Sequence, residues 1–162
     1  MITNKRHAEL SEKNKIVEST METRFKWFHF LVDEAVRGGL DIEFVREAIR
    51  RCGVWHHETK YPAECDLYKI DKVFANDAAS KVFEMEQVEL SDDVMHYRFH
   101  YCPAIHAWQD VGVDDDTIAR YCDLCMEGDR GICSGYPELE MVLSKTIASG
   151  DDCCDIMFRK KK

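Results

Sequence analysis

Three short stretches hold residues able to do chemistry. The first is His100-Tyr101-Cys102-Pro103, with His106 close behind. A strand that ends at Cys102 and a helix that opens at Pro103 would set the thiol at a helix N-terminus. Unpaired N–H groups there favour thiolate. His100 would share the strand face of Cys102, about 7 Å along by strand rise. His106 sits about one helical turn past Pro103. Such a Cys–His pair can act as nucleophile and base. The plainer reading of the same residues is a buried thiol beside a hydrogen-bonded histidine.

The second stretch is Cys122-x-x-Cys125, followed by Glu127, Asp129 and Cys133. On a helix that spacing puts both thiols on one face. Structural zinc or an iron–sulfur cluster would need two further ligands, for which Cys133, Cys102 or Cys153 are available. Two packed thiols, or a functional thiol or carboxylate in a pocket, are the alternatives. The third stretch is Gly150-Asp151-Asp152-Cys153-Cys154-Asp155. Adjacent strand side chains point to opposite faces, so only one of the two cysteines can face a given pocket. Neighbouring cysteines also rarely form a relaxed disulfide. Asp151 and Asp152 read as turn residues. Asp155, inside a strand, needs a partner, and Arg98 or His100 on a neighbouring strand would serve.

Composition limits what these groups can serve. The chain has 162 residues, eight of them cysteine, and a formal net charge of −9. That length suits a single domain, 1–162, with a core of its own. An acidic chain is a poor partner for nucleic acid. The first residues show no apolar signal core, and no run of about 18 apolar residues exists to span a bilayer. A cytoplasmic protein is expected, with no nucleic-acid or membrane partner. Its cysteines would then be thiols, ligands or a nucleophile rather than disulfides.

The elements that must position these groups follow from periodicity. Residues 1–62 read as a helical lead-in. One helix, whole or in two pieces, runs to Gly38-Gly39, and a second is capped by Asp41 and frays near Gly53 or runs on towards His57. His56-His57 reads as a solvated helix end. Residues 80–159 read as hairpin, helices, hairpin. Val82 to Leu90 and Val94 to Tyr101 are the first strand pair, and Leu139 to Ile147 and Cys153 to Arg159 the second. Between them lie a helix from Pro103 and another from Thr117 to about Glu127, with Gly128, Gly131 and Gly135 breaking the chain into a loop. The class is α+β: N-terminal helices packed on an antiparallel sheet of about four strands, with two inserted helices. Trp27, Phe28 and Phe30 suggest core packing or a homodimer through the first helix.

The Cys102-Pro103 pair, Cys122 and Asp129 in the next helical stretch, and the ending Gly150-Asp151-Asp152-Cys153-Cys154-Asp155 closing on an aromatic resemble the L-2-amino-thiazoline-4-carboxylic acid hydrolase family. Gly150, Asp151 and Cys154 also resemble, more distantly, the 4-vinyl reductase type of small-molecule-binding domain. The resemblance covers about residues 96–159. It implies hydrolytic opening of a cyclic, amidine-like thiazoline, a small-molecule substrate. That chemistry needs a nucleophile, an acid and a carboxylate for the amidinium. Cys102 or Cys154 could attack, and His100 or His106 could carry the proton. Asp129, Asp151 or Asp155 could hold the amidinium, and Arg98 the substrate carboxylate. No cofactor is required. Cys125 and Cys133 are extra thiols that keep zinc or iron open, with Cys122 and Cys125 the first ligands. The alternatives are a non-catalytic sensor for a small molecule, tetrapyrrole or metal, and a zinc-dependent hydrolase.

Overall fold

Ser11 starts the first helix in the computed structural model, which describes all 162 residues. Its hydroxyl accepts the Asn14 N–H at 3.3 Å, a side-chain cap for α1 (Glu12–Arg37). The run without proline or glycine forms one helix rather than two. Gly39, with φ of 93°, turns the chain out of it. The second helix, α2 (Phe44–Lys60), begins two residues later than an Asp41 cap would place it. Asp41 instead accepts the Glu43 N–H at 2.9 Å in the preceding turn.

Two glycine positions share one explanation. α2 runs on past Gly53 and His57, the second of its two expected courses, whereas Gly128 and Gly131 lie inside a further helix, α7 (Glu127–Cys133), and not in the expected loop. A Cβ at Gly53 would sit 2.0 Å from the Gly128 carbonyl oxygen, and one at Gly131 would sit 2.4 Å from the Arg50 carbonyl oxygen. These glycines let the two helix backbones touch. A helical glycine costs about 1 kcal/mol relative to alanine, and here the close crossing offsets it. Glu127, 7% exposed, locks the crossing. It accepts from Arg46 at 3.1 Å, Arg50 at 3.2 Å and Arg130 at 2.8 Å.

Short helices α3 (Leu67–Phe74) and α4 (Asp77–Val82) follow, capped by the side chains of Asp66 and Asn76. Val82 ends α4, fully buried, instead of opening a strand. Strands β1 (Met85–Leu90) and β2 (Val94–Phe99) form the first hairpin. The chain then makes α5 (Pro103–Asp110), α6 (Asp115–Cys125) and α7 before β3 (Leu139–Lys145), a 3-10 turn at Ile147–Ser149 and β4 (Cys154–Lys160). Three helices, not two, separate the strand pairs. The four strands are all antiparallel in the order β1-β2-β4-β3. The α+β class follows directly.

Register sorts the sheet's two faces. Met95 lies opposite Phe158, Tyr97 opposite Ile156 and Phe99 opposite Cys154 on the covered face. Arg98 lies opposite Asp155 and His96 opposite Met157 on the other. Helices pack only on the first face, around Ile105, Trp108, Ile118 and Leu124, each at most 1% exposed. The α1 aromatics divide accordingly. Phe25 meets the Trp108 ring edge-on at 5.6 Å and Phe28 the Tyr121 ring at 5.1 Å, whereas Trp27, Phe30 and Leu31 face outward. No helix is long and apolar enough to cross a membrane.

Candidate functional site

Cys102 is the N-cap of α5, with extended backbone (φ −133°, ψ 113°) and Pro103 as the first helical residue. Its sulfur makes no capping hydrogen bond, but the nearby N–H groups of Ala104 and Ile105 act to lower its pKa. Cys154 opens β4 on the covered face, where its sulfur accepts the Ile147 N–H at 3.4 Å. Cys122 and Cys125 come from the last turn of α6. The four sulfurs lie within electrostatic reach of one another: Cys102 acts on Cys122, Cys125 and Cys154, and Cys154 acts on Cys122. They therefore gather on one side of the sheet. Cys154 is buried, while Cys102, Cys122 and Cys125 keep some accessible surface.

Burial governs their chemistry. It pushes the thiols of Cys125 and Cys154 up to about 12 and Cys122 higher still. Cys102 is also raised, because desolvation outweighs the two N–H groups that pull it down. The helix N-terminus is present, as expected, but it does not make a resting thiolate.

Asp129, half-buried in the first turn of α7, is the carboxyl group near this cluster that desolvation raises. Burial raises it from 3.8 to about 6, against a smaller opposing pull from Arg130 and its own N–H. It lies within electrostatic reach of Cys125 and Cys133. It also lines a narrow apolar pocket of about 10 Å³, room for a single water, with Tyr61, Phe74, Tyr136 and Phe158.

The other expected site residues stand apart from these. His100, just past the end of β2, pairs through Nε2 with Glu86 at 2.9 Å on the surface. His106 points outward from α5, 3.7 Å from Glu22. Arg98 donates through Nε to Asp155 at 3.1 Å, on the uncovered face of the sheet. Asp155 also pairs with His96 and Ser144, each at 2.9 Å. Burial opposes ionisation of Asp155, but the hydrogen bonds from Ser144, His96 and Arg98 outweigh it and hold the group below the ordinary carboxylate range. Cys154 and Asp155 are adjacent in sequence, so the sheet separates them. Asp151 accepts the Thr146 N–H at 2.9 Å in the turn before β4, within electrostatic reach of Cys154. As for a metal at Cys122 and Cys125, nowhere do three His, Cys, Asp or Glu side chains converge closely enough to hold an ion.

A family model described as L-2-amino-thiazoline-4-carboxylic acid hydrolase matches residues 20–158, which include every thiol and carboxylate just described. The chain belongs to that family. No curated protein matches it. Among solved structures it is similar to a trafficking protein particle complex subunit 3 from Naegleria fowleri, covalently bound to palmitic acid. The identity is 14%, the match covers 91% of this chain and 97% of that one, and the TM-score is 0.55. At that identity the likeness establishes a shared fold.

For this aminothiazoline hydrolase family member, several residues around the site gave no sequence signal. Tyr136 donates to the Pro62 carbonyl at 2.6 Å and packs edge-on against His57, with ring centroids 4.6 Å apart. His57 is therefore not at a solvated helix end, and its Nδ1 is buried without a partner. Asn4 pairs with the Cys102 peptide from 98 residues away in sequence. A mid-helix Gly53 facing Gly128 and Gly131 was the one readable hint that α7 exists.

Proposed function

We propose that this protein hydrolyses a small cyclic amidine, a 2-amino-thiazoline-4-carboxylate-like substrate. An interior cysteine, Cys102 or Cys154, is the nucleophile and Asp129 exchanges the proton. The supporting observation is the gathering of Cys102 and Cys154 on one side of the sheet, with Asp129 in reach of the neighbouring Cys125. A carboxyl group near 6 is suited to proton exchange near neutral pH.

The reacting carbon is the one bonded to the ring sulfur, the ring nitrogen and the amino group. The thiol adds to it through sulfur, and its proton passes to the Asp129 carboxylate. Collapse of the adduct breaks the ring carbon–sulfur bond, and Asp129 returns the proton to the departing sulfur. Water then attacks the same carbon of the enzyme-bound amidine. The enzyme thiol leaves with one proton of the water, the other stays on nitrogen, and a ureido product with a free thiol departs.

The test is turnover of 2-amino-thiazoline-4-carboxylate, read as new free thiol and as the product mass. Cys102→Ser or Cys154→Ser is expected to lower it by about 100-fold or more, as is Asp129→Asn. Full turnover in both cysteine variants would remove the cysteine mechanism, and no turnover by the wild type would remove the activity.

One observation favours a second reading. All four clustered thiols are pushed up by burial, which suits holding a ligand better than attacking one. The trafficking subunit of like fold carries palmitic acid covalently. A binding module of that kind predicts a ligand that co-purifies with the protein, seen as added mass, and no turnover.

A further inference from the structure

Residues 2–8 lie outside the segment that matches the family, yet they grip the residue at the centre of the thiol cluster. Ile2 is 7% exposed; its N–H donates to Asp115 at 3.0 Å and its carbonyl accepts from Gln109 at 3.3 Å. Asn4 takes both sides of the Cys102 peptide unit. Its Nδ2 donates to the Cys102 carbonyl at 2.8 Å, and its Oδ1 accepts the Cys102 N–H at 2.9 Å. The Arg6 guanidinium lies 3.9 Å from the Tyr101 ring centroid, donates to the Val82 carbonyl at 2.8 Å and pairs with Glu18 and Glu84. The N–H groups of His7 and Ala8 donate to Glu84 Oε1 at 2.8 and 2.7 Å.

The far end of this strap forms part of a second feature. His7 and Ala8 line an open groove of about 530 Å³ together with Lys81, Glu86 and His100. His100 is two residues from Cys102. The strap thus holds Cys102 with Asn4 and walls the groove with His7 and Ala8.

We propose that residues 2–8 are a gate between this groove and the interior thiols, with Asn4 as its latch on Cys102. Three features support this. The grip is almost wholly polar, with Ile2 the only buried apolar side chain, and each of its hydrogen bonds contributes only about 0.5–1.5 kcal/mol net because water can replace it on release. The latch satisfies the Cys102 N–H, which as an N-cap donor has no partner inside the helix. Cys102 keeps only part of its surface accessible with the strap in place, so release of the strap would open the approach to its sulfur further. The proposal concerns access, and it holds whether the interior site turns its ligand over or only keeps it.

The test uses the full chain and iodoacetamide at pH 8, with labelling of each cysteine followed by peptide mass. Asn4→Ala is expected to raise the rate at Cys102 about tenfold, because two hydrogen bonds are lost. The rate at Cys133, which the strap does not touch, is expected to stay as in the wild type. Arg6→Gln loosens the strap without altering the Cys102 peptide and is expected to raise the Cys102 rate as well. An unchanged Cys102 rate in both variants would overturn the gate. So would an equal rise at Cys133 with a parallel fall in melting temperature, since that is global unfolding.

Discussion

Asp129→Asn separates the cost of a buried charge from its use. In the folded protein burial lifts Asp129 from 3.8 to about 6. An acid raised on folding keeps its proton to higher pH in the folded state than in the unfolded one. The wild type therefore loses stability as pH climbs from about 4 to about 6, and above that the loss is complete. A rise of this size is worth up to about 3 kcal/mol, and relaxation and water penetration bring the expected effect to about 1–3 kcal/mol. Asparagine is neutral throughout and escapes the loss. Its buried amide carries a cost of its own, but that cost does not vary with pH, so the slope is the readout. Urea unfolding of both proteins between pH 4 and pH 8 is the assay. The stability of the variant relative to the wild type should rise through that window by about 1–3 kcal/mol and level off above pH 6. In thermal melts this is about 2–10 °C for a chain of this size. Turnover should fall as stability rises. A difference that stays flat across the window would refute a desolvated Asp129 whose burial outweighs the pull of Arg130, and the proton-exchange role would fall with it.

Gly53→Ala tests the helix crossing by sign alone. Helix propensity favours alanine by about 1 kcal/mol, but the added Cβ would meet the Gly128 oxygen at 2.0 Å. A net loss of about 2 kcal/mol is expected from overpacking, seen as a lower melting temperature. Glu127→Gln should cost about 2 kcal/mol at pH 7, since its three arginines lose their ionised partner. Burial opposes the charge on Glu127, yet hydrogen bonds from Arg130 and Arg50 outweigh it and hold the group below its ordinary 4.5. Its contribution is present above about pH 4.5 and fades as pH falls through its lowered value. Urea midpoints of the variant and the wild type should therefore converge as pH falls well below 4.5.

The strands were readable because alternation is local. Met95 and Tyr97 face the helices, Arg98 meets Asp155 across β2 and β4, and Cys154 turns inward while Asp155 turns out. Local rules misled where a distant partner changed the balance. Gly128 and Gly131 look like breakers until α2 lies against them, because the compensating contact is with Gly53 and Arg50, far back in the chain. His100 and Cys102 shared a strand face only while the strand was thought to continue. It ends at Phe99, and His100 turns to Glu86 at the surface. The thiol at the start of α5 was visible, but its protonation depends on what encloses it, and no spacing within the chain states that. Asn4 was invisible for the same reason, since its whole role is a contact across 98 residues.

The neutrality of the thiols bears on how such a site would be switched on. Four sulfurs lie near the raised carboxyl group of Asp129, and the pull of Arg24 on Cys125 and of Arg130 on Asp129 is smaller than the opposing effect of burial. Without a ligand, a thiolate formed there would have only backbone N–H groups, those at the start of α5 for Cys102 and that of Ile147 for Cys154, and the weaker pull of Arg24 on Cys125 to stabilise it. A cationic amidine changes that balance, because an opposite charge a few ångströms away lowers a thiol's pKa, and in a desolvated site it does so strongly. The same cation pulls Asp129 towards its ionised form, ready to take the proton the thiol gives up. Substrate charge would thus activate both partners together, and a neutral analogue of the same shape would activate neither. Such an analogue should therefore bind without reacting. Quantitative turnover of a permanently neutral thiazoline at a rate equal to that of the cation would show that the nucleophile is formed by other means.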